Sequence, residues 1–174
     1  MDNHYDMVMR ERERAASAGK VHYFAYSTVL DRAAFEEWRS QHNYEFFDLP
    51  AGRLAEALDL GIVYDFPSRW WGGRVAGLAD APGAHVFGLL FEIAGADWPI
   101  IRHKEGAITN MAVERKVRVR VDGQELDAVA FATRPERAST DGPVSPRFVE
   151  ALLRGARSAS LPAAWIDELA KGAR

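Results

Sequence analysis

The chain has 174 residues, enough for one domain with a buried core and too few to promise two. Its 48% hydrophobic and 27% charged residues are ordinary for a globular protein, and a formal net charge of −3 gives no electrostatic reason to expect nucleic acid or an anionic membrane as partner. No cysteine is present, which excludes disulfides, thiolate metal sites and thiol nucleophiles within the chain.

The chain opens with a polar lead, residues 1–20, in which MVMRERERAASAG reads as a short exposed helix stopped by Gly19. It has no apolar signal-like region, and no later apolar run nears transmembrane length, so a cytoplasmic location is expected. Residues 21–174 show no repeat, linker or low-complexity stretch and read as a single domain. Val21 to Tyr26 is a strand rich in aromatic and β-favouring residues. It runs through Ser27-Thr28-Val29-Leu30 into a helix that Asp31 can cap. Small hydroxyl residues between a strand and a helix suit either an anion site or an ordinary turn.

Leu60 to Phe66 reads as a strand ended by Pro67. Trp70 and Trp71 then precede a Gly-Gly turn, as a structural lid over the core or the wall of a pocket. Val86 to Ile93 is a nearly unbroken apolar strand, interrupted by Gly88 and Glu92. Asp97 is a candidate cap for one short helical turn with Pro99 near its start. That turn ends at Lys104-Glu105-Gly106. Glu105 is thus a lone carboxylate on a tightly tethered segment, which suits acid–base chemistry as well as it suits a solvated loop. Val113 to Val121 alternates at period two, Asp122-Gly123 makes a hairpin turn, and Leu126 to Thr133 returns. Ser145-Pro146 opens one helix and Leu161-Pro162 another. His4, His22, His42, His85 and His103 lack ligand spacing, so no metal is expected, and His103 reads as an exposed loop residue. About five or six strands with flanking helices imply an α+β domain around a curved or closed sheet.

Taken in order, YFAYSTVL, VYDFPSRWWGGRVAGL, HVFGLLFEI followed by HKEG, VRVRVDGQELDAVAFAT and the tail SPRFVEALLRGARSASLPAAWIDEL resemble the γ-glutamylcyclotransferase superfamily, its AIG2-like or butirosin-deprotecting group. The resemblance spans about Val21 to Leu169. It implies a small closed or strongly curved mixed β-barrel flanked by helices. It also implies a cofactor-independent enzyme of the lyase or acyltransferase type, acting on a small-molecule γ-glutamyl amide and releasing 5-oxoproline and an amine or amino acid. By the same resemblance Glu105 is the general acid/base, and Tyr26, Ser27, Thr28, Val29 and Leu30 form the substrate-binding loop.

Departures accompany the match. The family's loop reads Tyr-Gly-Ser-Asn-Leu, so Ser27 replaces a glycine and Val29 an asparagine. Ala112 and Phe148 stand where tyrosines are common in the family. Lost polar groups beside a retained glutamate imply a changed substrate, or a catalytically silent member that binds a metabolite or a protein. Nothing in the sequence speaks to the oligomeric state.

Overall fold

Period-two alternation gives the most regular part of the molecule. In the computed structural model, which describes residues 3–174, strands β4 (Ala112–Val121) and β5 (Gln124–Thr133) pair along their whole length. They turn at Asp122 and Gly123, both at positive φ, as such a two-residue turn requires. Val117, Val119 and Val121 face inward, while Lys116 and Arg118 face water.

The remaining strands are β1 (Lys20–Ala25), β2 (Arg53–Ser68) and β3 (Gly73–Ala94). With β4 and β5 they close a barrel in the order β1-β3-β2-β4-β5. β1 runs antiparallel to β3, and closure comes where β1 lies parallel to β5, at Tyr23 and Val129. β2 and β3 form one long hairpin rather than the separate short strands expected. The apolar run at Val86 is only the second half of β3, and Pro67 lies inside the ladder opposite Arg74. Register shifts at Leu58/Leu60 and Val63/Phe66 bend the hairpin, with Asp59 at φ 59° in the first. Its tip is then tied to the tail, because Arg74 N donates to the Pro143 carbonyl and Ser145 N to that of Arg74, at 3.0 and 2.9 Å.

Close approach explains Gly88. It sits at the end of the antiparallel β1–β3 pairing, next to Leu89, and a Cβ there would run into the Ala25 carbonyl and come within 2.9 Å of the Phe24 ring.

Among the described residues five α-helices flank the barrel: α1 (Asn3–Arg14), α2 (Arg32–Gln41), α3 (Trp98–Lys104), α4 (Pro146–Ser158) and α5 (Ala163–Gly172). Asp31 caps α2 by accepting from Ala34 N at 3.2 Å, and Ser145 caps α4 by accepting from Phe148 N, also at 3.2 Å. Asp97, by contrast, makes no side-chain cap for α3; it pairs with Arg12 of α1 at 2.9 Å. α1 is correspondingly less exposed than its charges suggest, with Val8 fully buried and Glu11 paired to Arg102 at 2.8 Å. Among the described residues no helix is long and apolar enough to cross a membrane.

Candidate active site

A helix end and a glycine deliver Glu105. α3 buries Ile100 and Ile101 completely, which fixes the direction of its last turn. Glu105 continues that turn, its N–H donating to the Ile101 carbonyl at 2.9 Å. Gly106, at φ 90°, then reverses the chain, and its carbonyl accepts from Met111 N and Ala112 N at 2.9 and 3.1 Å. The Glu105 side chain is left facing a cavity of about 870 Å³ at the barrel end, so it is no solvated loop residue.

From the barrel core behind the cavity wall the Tyr23 hydroxyl donates a short hydrogen bond to Glu105 Oε1. Tyr23 is fully buried on β1, with the rings of Phe91, Trp98 and Phe131 5.7–6.1 Å from its own. Burial pushes the Glu105 carboxyl up from the usual carboxylate range, against smaller lowering effects from the Lys104 ammonium and the Tyr23 hydroxyl. Burial, reinforced by Glu105, holds the Tyr23 phenol well above its ordinary value, so it stays a donor. The Lys104 ammonium is pulled down by burial and partly restored by Glu105.

The loop after β1 meets this carboxyl with only part of its length. Tyr26, Ser27 and Thr28 line the cavity. Val29 and Leu30 do not: both are buried, and Val29 borders a separate cleft of about 130 Å³ with Phe35 and Leu49. Ser27 has φ −121°, a conformation open to any residue, so its place needs no glycine. Among the described residues no backbone acceptor takes the N–H groups of Ser27, Thr28 or Val29. Of these three residues, Ser27 and Thr28 border the cavity. The Tyr26 hydroxyl is committed to the Phe131 carbonyl at 2.6 Å.

Distant elements supply the other walls. Trp70 and Trp71 at the tip of the β2–β3 hairpin are half-buried and line the cavity, rather than only covering the core. Trp71 is fixed by the Ser145 hydroxyl, which donates to its carbonyl at 2.7 Å, and by an edge contact with Phe148 at 5.7 Å. Ala112 and Phe148, the two apolar departures, border the same space. Thr133 adds a hydroxyl there that donates to Asp65 Oδ1 at 2.7 Å.

His103 is not an exposed loop residue. It is buried on α3 and hydrogen-bonds through Nδ1 to the Tyr44 hydroxyl at 2.8 Å. With Trp38 and His42 it forms an aromatic flank of the cavity that the sequence reading missed, as it missed Tyr23. Tyr23 opens a run, Tyr23 to Tyr26, that is buried throughout, so no alternation in VHYFAY singles it out. Among the described residues no group of three or more His, Asp or Glu is arranged to hold a metal ion.

Comparison with known proteins gives consistent similarities. Residues 85–169 match the AIG2-like family, a segment that carries Glu105 but not the Tyr26–Leu30 loop. Gamma-glutamylcyclotransferase of Homo sapiens is 26% identical over 114 residues, 64% of this chain. The match spans 58% of that relative's length. A solved structure named gamma-glutamyl cyclotransferase superposes with a TM-score of 0.71 at 19% identity, covering 87% of this chain and 86% of that one. YkqA from Bacillus subtilis gives a TM-score of 0.72 at 19% identity, over 94% and 57% of the respective chains. A yeast gamma-glutamyl cyclotransferase specific to glutathione gives 0.61 at 9% identity, over 89% and 96%. At such identities the structural likenesses speak for a shared fold.

Proposed function

We propose that this chain, which belongs to the γ-glutamylcyclotransferase-like superfamily, releases 5-oxoproline and an amine or amino acid from a γ-glutamyl amide. The observation that carries the reading is a single desolvated carboxyl, Glu105, held by Tyr23 and facing a cavity bordered by the Ser27–Thr28 loop. The substrate's α-amine and γ-carbonyl belong to one residue, so the reaction is an intramolecular ring closure and needs orientation more than encounter. Glu105 as carboxylate takes a proton from the α-ammonium. The freed amine nitrogen attacks the γ-carbonyl carbon and closes a five-membered ring. Glu105 then gives that proton to the amide nitrogen as its bond to the carbon breaks, and the second proton lost by the ring nitrogen goes to the departing amine, which leaves as an ammonium beside the neutral lactam. No water is consumed and the carboxylate is regenerated.

A raised pKa suits both halves of this cycle, since it makes the carboxylate a better base near neutral pH and leaves an acid able to protonate a poor leaving group. The backbone N–H groups of Ser27 and Thr28, which have no backbone acceptor among the described residues and border the cavity, would bind the glutamyl α-carboxylate whatever the side chains are. Tyr26 to Leu30 therefore act as a binding loop through the Ser27 and Thr28 side chains and backbone, while Tyr26 anchors the loop through Phe131 and the Val29 and Leu30 side chains serve packing. A substrate shifted from that of the relatives is the second reading, favoured by Ala112 and Phe148 on the cavity wall. The test is incubation with a panel of γ-glutamyl amino acids and amines, with 5-oxoproline followed by mass spectrometry. Production from any member is expected; silence across the panel from folded protein would leave a binding role in its place.

A further inference from the structure

We propose that the flank of the cavity formed by Trp38, His42, Trp70 and His103 is the subsite for the leaving group, and that this group is an aromatic amino acid. The proposal rests on the reading of Glu105 given above. α2 fixes the geometry: it starts beside the Ser27–Thr28 loop and carries Trp38 and His42 toward its far end. At 1.5 Å per residue, His42 lies roughly 16 Å along the helix from Asp31. A glutamyl group on the loop leaves that far flank to the other half of the amide.

The flank is built of flat rings. Trp38 stacks on His42 at 4.6 Å, and His42 meets His103 edge-on at 5.2 Å. From the hairpin tip, Trp70 approaches His42 to 5.5 Å and closes the end. His42 and Trp70 are half-exposed, which leaves ring surface open to the cavity. Such surfaces favour a planar partner, stacked or edge-on. The whole cavity, about 870 Å³, far exceeds the needs of a glutamyl group and lies in the size range of sites for larger ligands.

Charge narrows the class. Lys104 Nζ lies 5.8 Å from the centre of the Trp38 ring and forms no ion pair among the described residues. A partly buried cation beside aromatic walls recognises a carboxylate and repels a cationic amine. An amino acid with an aromatic side chain offers both the ring and the carboxylate; a polyamine offers neither.

The test compares kcat/KM for γ-glutamyltryptophan, its C-terminal carboxamide and γ-glutamylalanine. The free acid should exceed γ-glutamylalanine by at least ~10-fold, given several ring contacts. That ratio should collapse in Trp70→Ala and survive in Trp70→Phe, which keeps a ring; His42→Ala serves if Trp70→Ala fails to fold. The carboxamide should be poorer than the acid in the wild type, with the difference lost in Lys104→Met. Equal rates for the tryptophan and alanine substrates would overturn the proposal. If none is turned over, the cyclotransferase reading fails separately, and calorimetry with L-tryptophan decides the subsite. Saturable binding weakened by Trp70→Ala would then support it, and no binding would overturn it.

Discussion

A carboxyl kept from water is easier to protonate, and at Glu105 that has consequences for stability as well as chemistry. Its folded-state pKa is raised, so relative to the unfolded chain the native state favours the protonated form. The stabilising contribution is present below the unfolded pKa and is lost as pH rises through the folded one. Glu105→Gln, which cannot ionise, should therefore be at least as heat-stable as the wild type at pH 8, with no such advantage at acid pH. Scanning calorimetry at both pH values checks this. The same swap should lower turnover by ~10²–10⁴, the usual worth of a general acid–base group. Tyr23 makes a second, opposite prediction. Its hydroxyl lowers the Glu105 pKa, so in Tyr23→Phe the acid limb of the kcat/KM profile should move to higher pH. An unmoved limb would show that the hydrogen bond does not tune the carboxyl. Glu105 could be singled out in the sequence because the HKEG around it resembles a family motif, whereas nothing singled out Tyr23. His103 was misread because Lys104-Glu105-Gly106 looks like a loop. In the fold Glu105 still belongs to the turn of α3, and His103 lies on that helix with its ring buried.

At the level of elements, the β4–β5 hairpin was legible because alternation and Asp122-Gly123 specify the same register. The β2–β3 hairpin was not. Pro67 and the glycines around it look like breaks, yet its outer half lies beyond the barrel proper, where register shifts and the tie to Pro143 hold it. Gly88 lies where the end of β1 approaches β3 closely. Gly88→Ala must push a methyl into backbone, so it should cost ~3 kcal/mol or more, at the upper end of overpacking, by urea unfolding. Ordinary stability in that variant would show that β1 and β3 can separate there. Asp31 joins two helices, capping α2 and accepting three contacts from the Arg154 guanidinium of α4, the shortest at 2.6 Å. Because Arg154 is 49% exposed and can turn to water, Asp31→Ala should cost mainly the cap, ~1–2 kcal/mol. A loss near that for a fully buried ion pair would mean that Arg154 is less free to turn outward.

On the scale of the whole molecule, the cavity is assembled from places far apart in the chain: the loop after β1, the end of α2, the hairpin tip, the end of α3 and the start of α4. Barrel closure brings these together, and no local pattern announces it. The fold class was legible from the order of motifs, while Trp38, His42, Trp70 and Trp71 became a common wall only once the chain was closed. The apolar surface of that wall and the carboxyl beside it belong to one enclosure, which is why a reaction needing both desolvation and room for a leaving group fits here. The most direct measurement of that account is 5-oxoproline formation, by mass spectrometry, from γ-glutamyl substrates incubated with wild-type protein and with Glu105→Gln. Formation by the wild type that falls at least ~100-fold in the variant is the result predicted. Equal formation by both proteins, or none by a folded wild type across the panel, would contradict it.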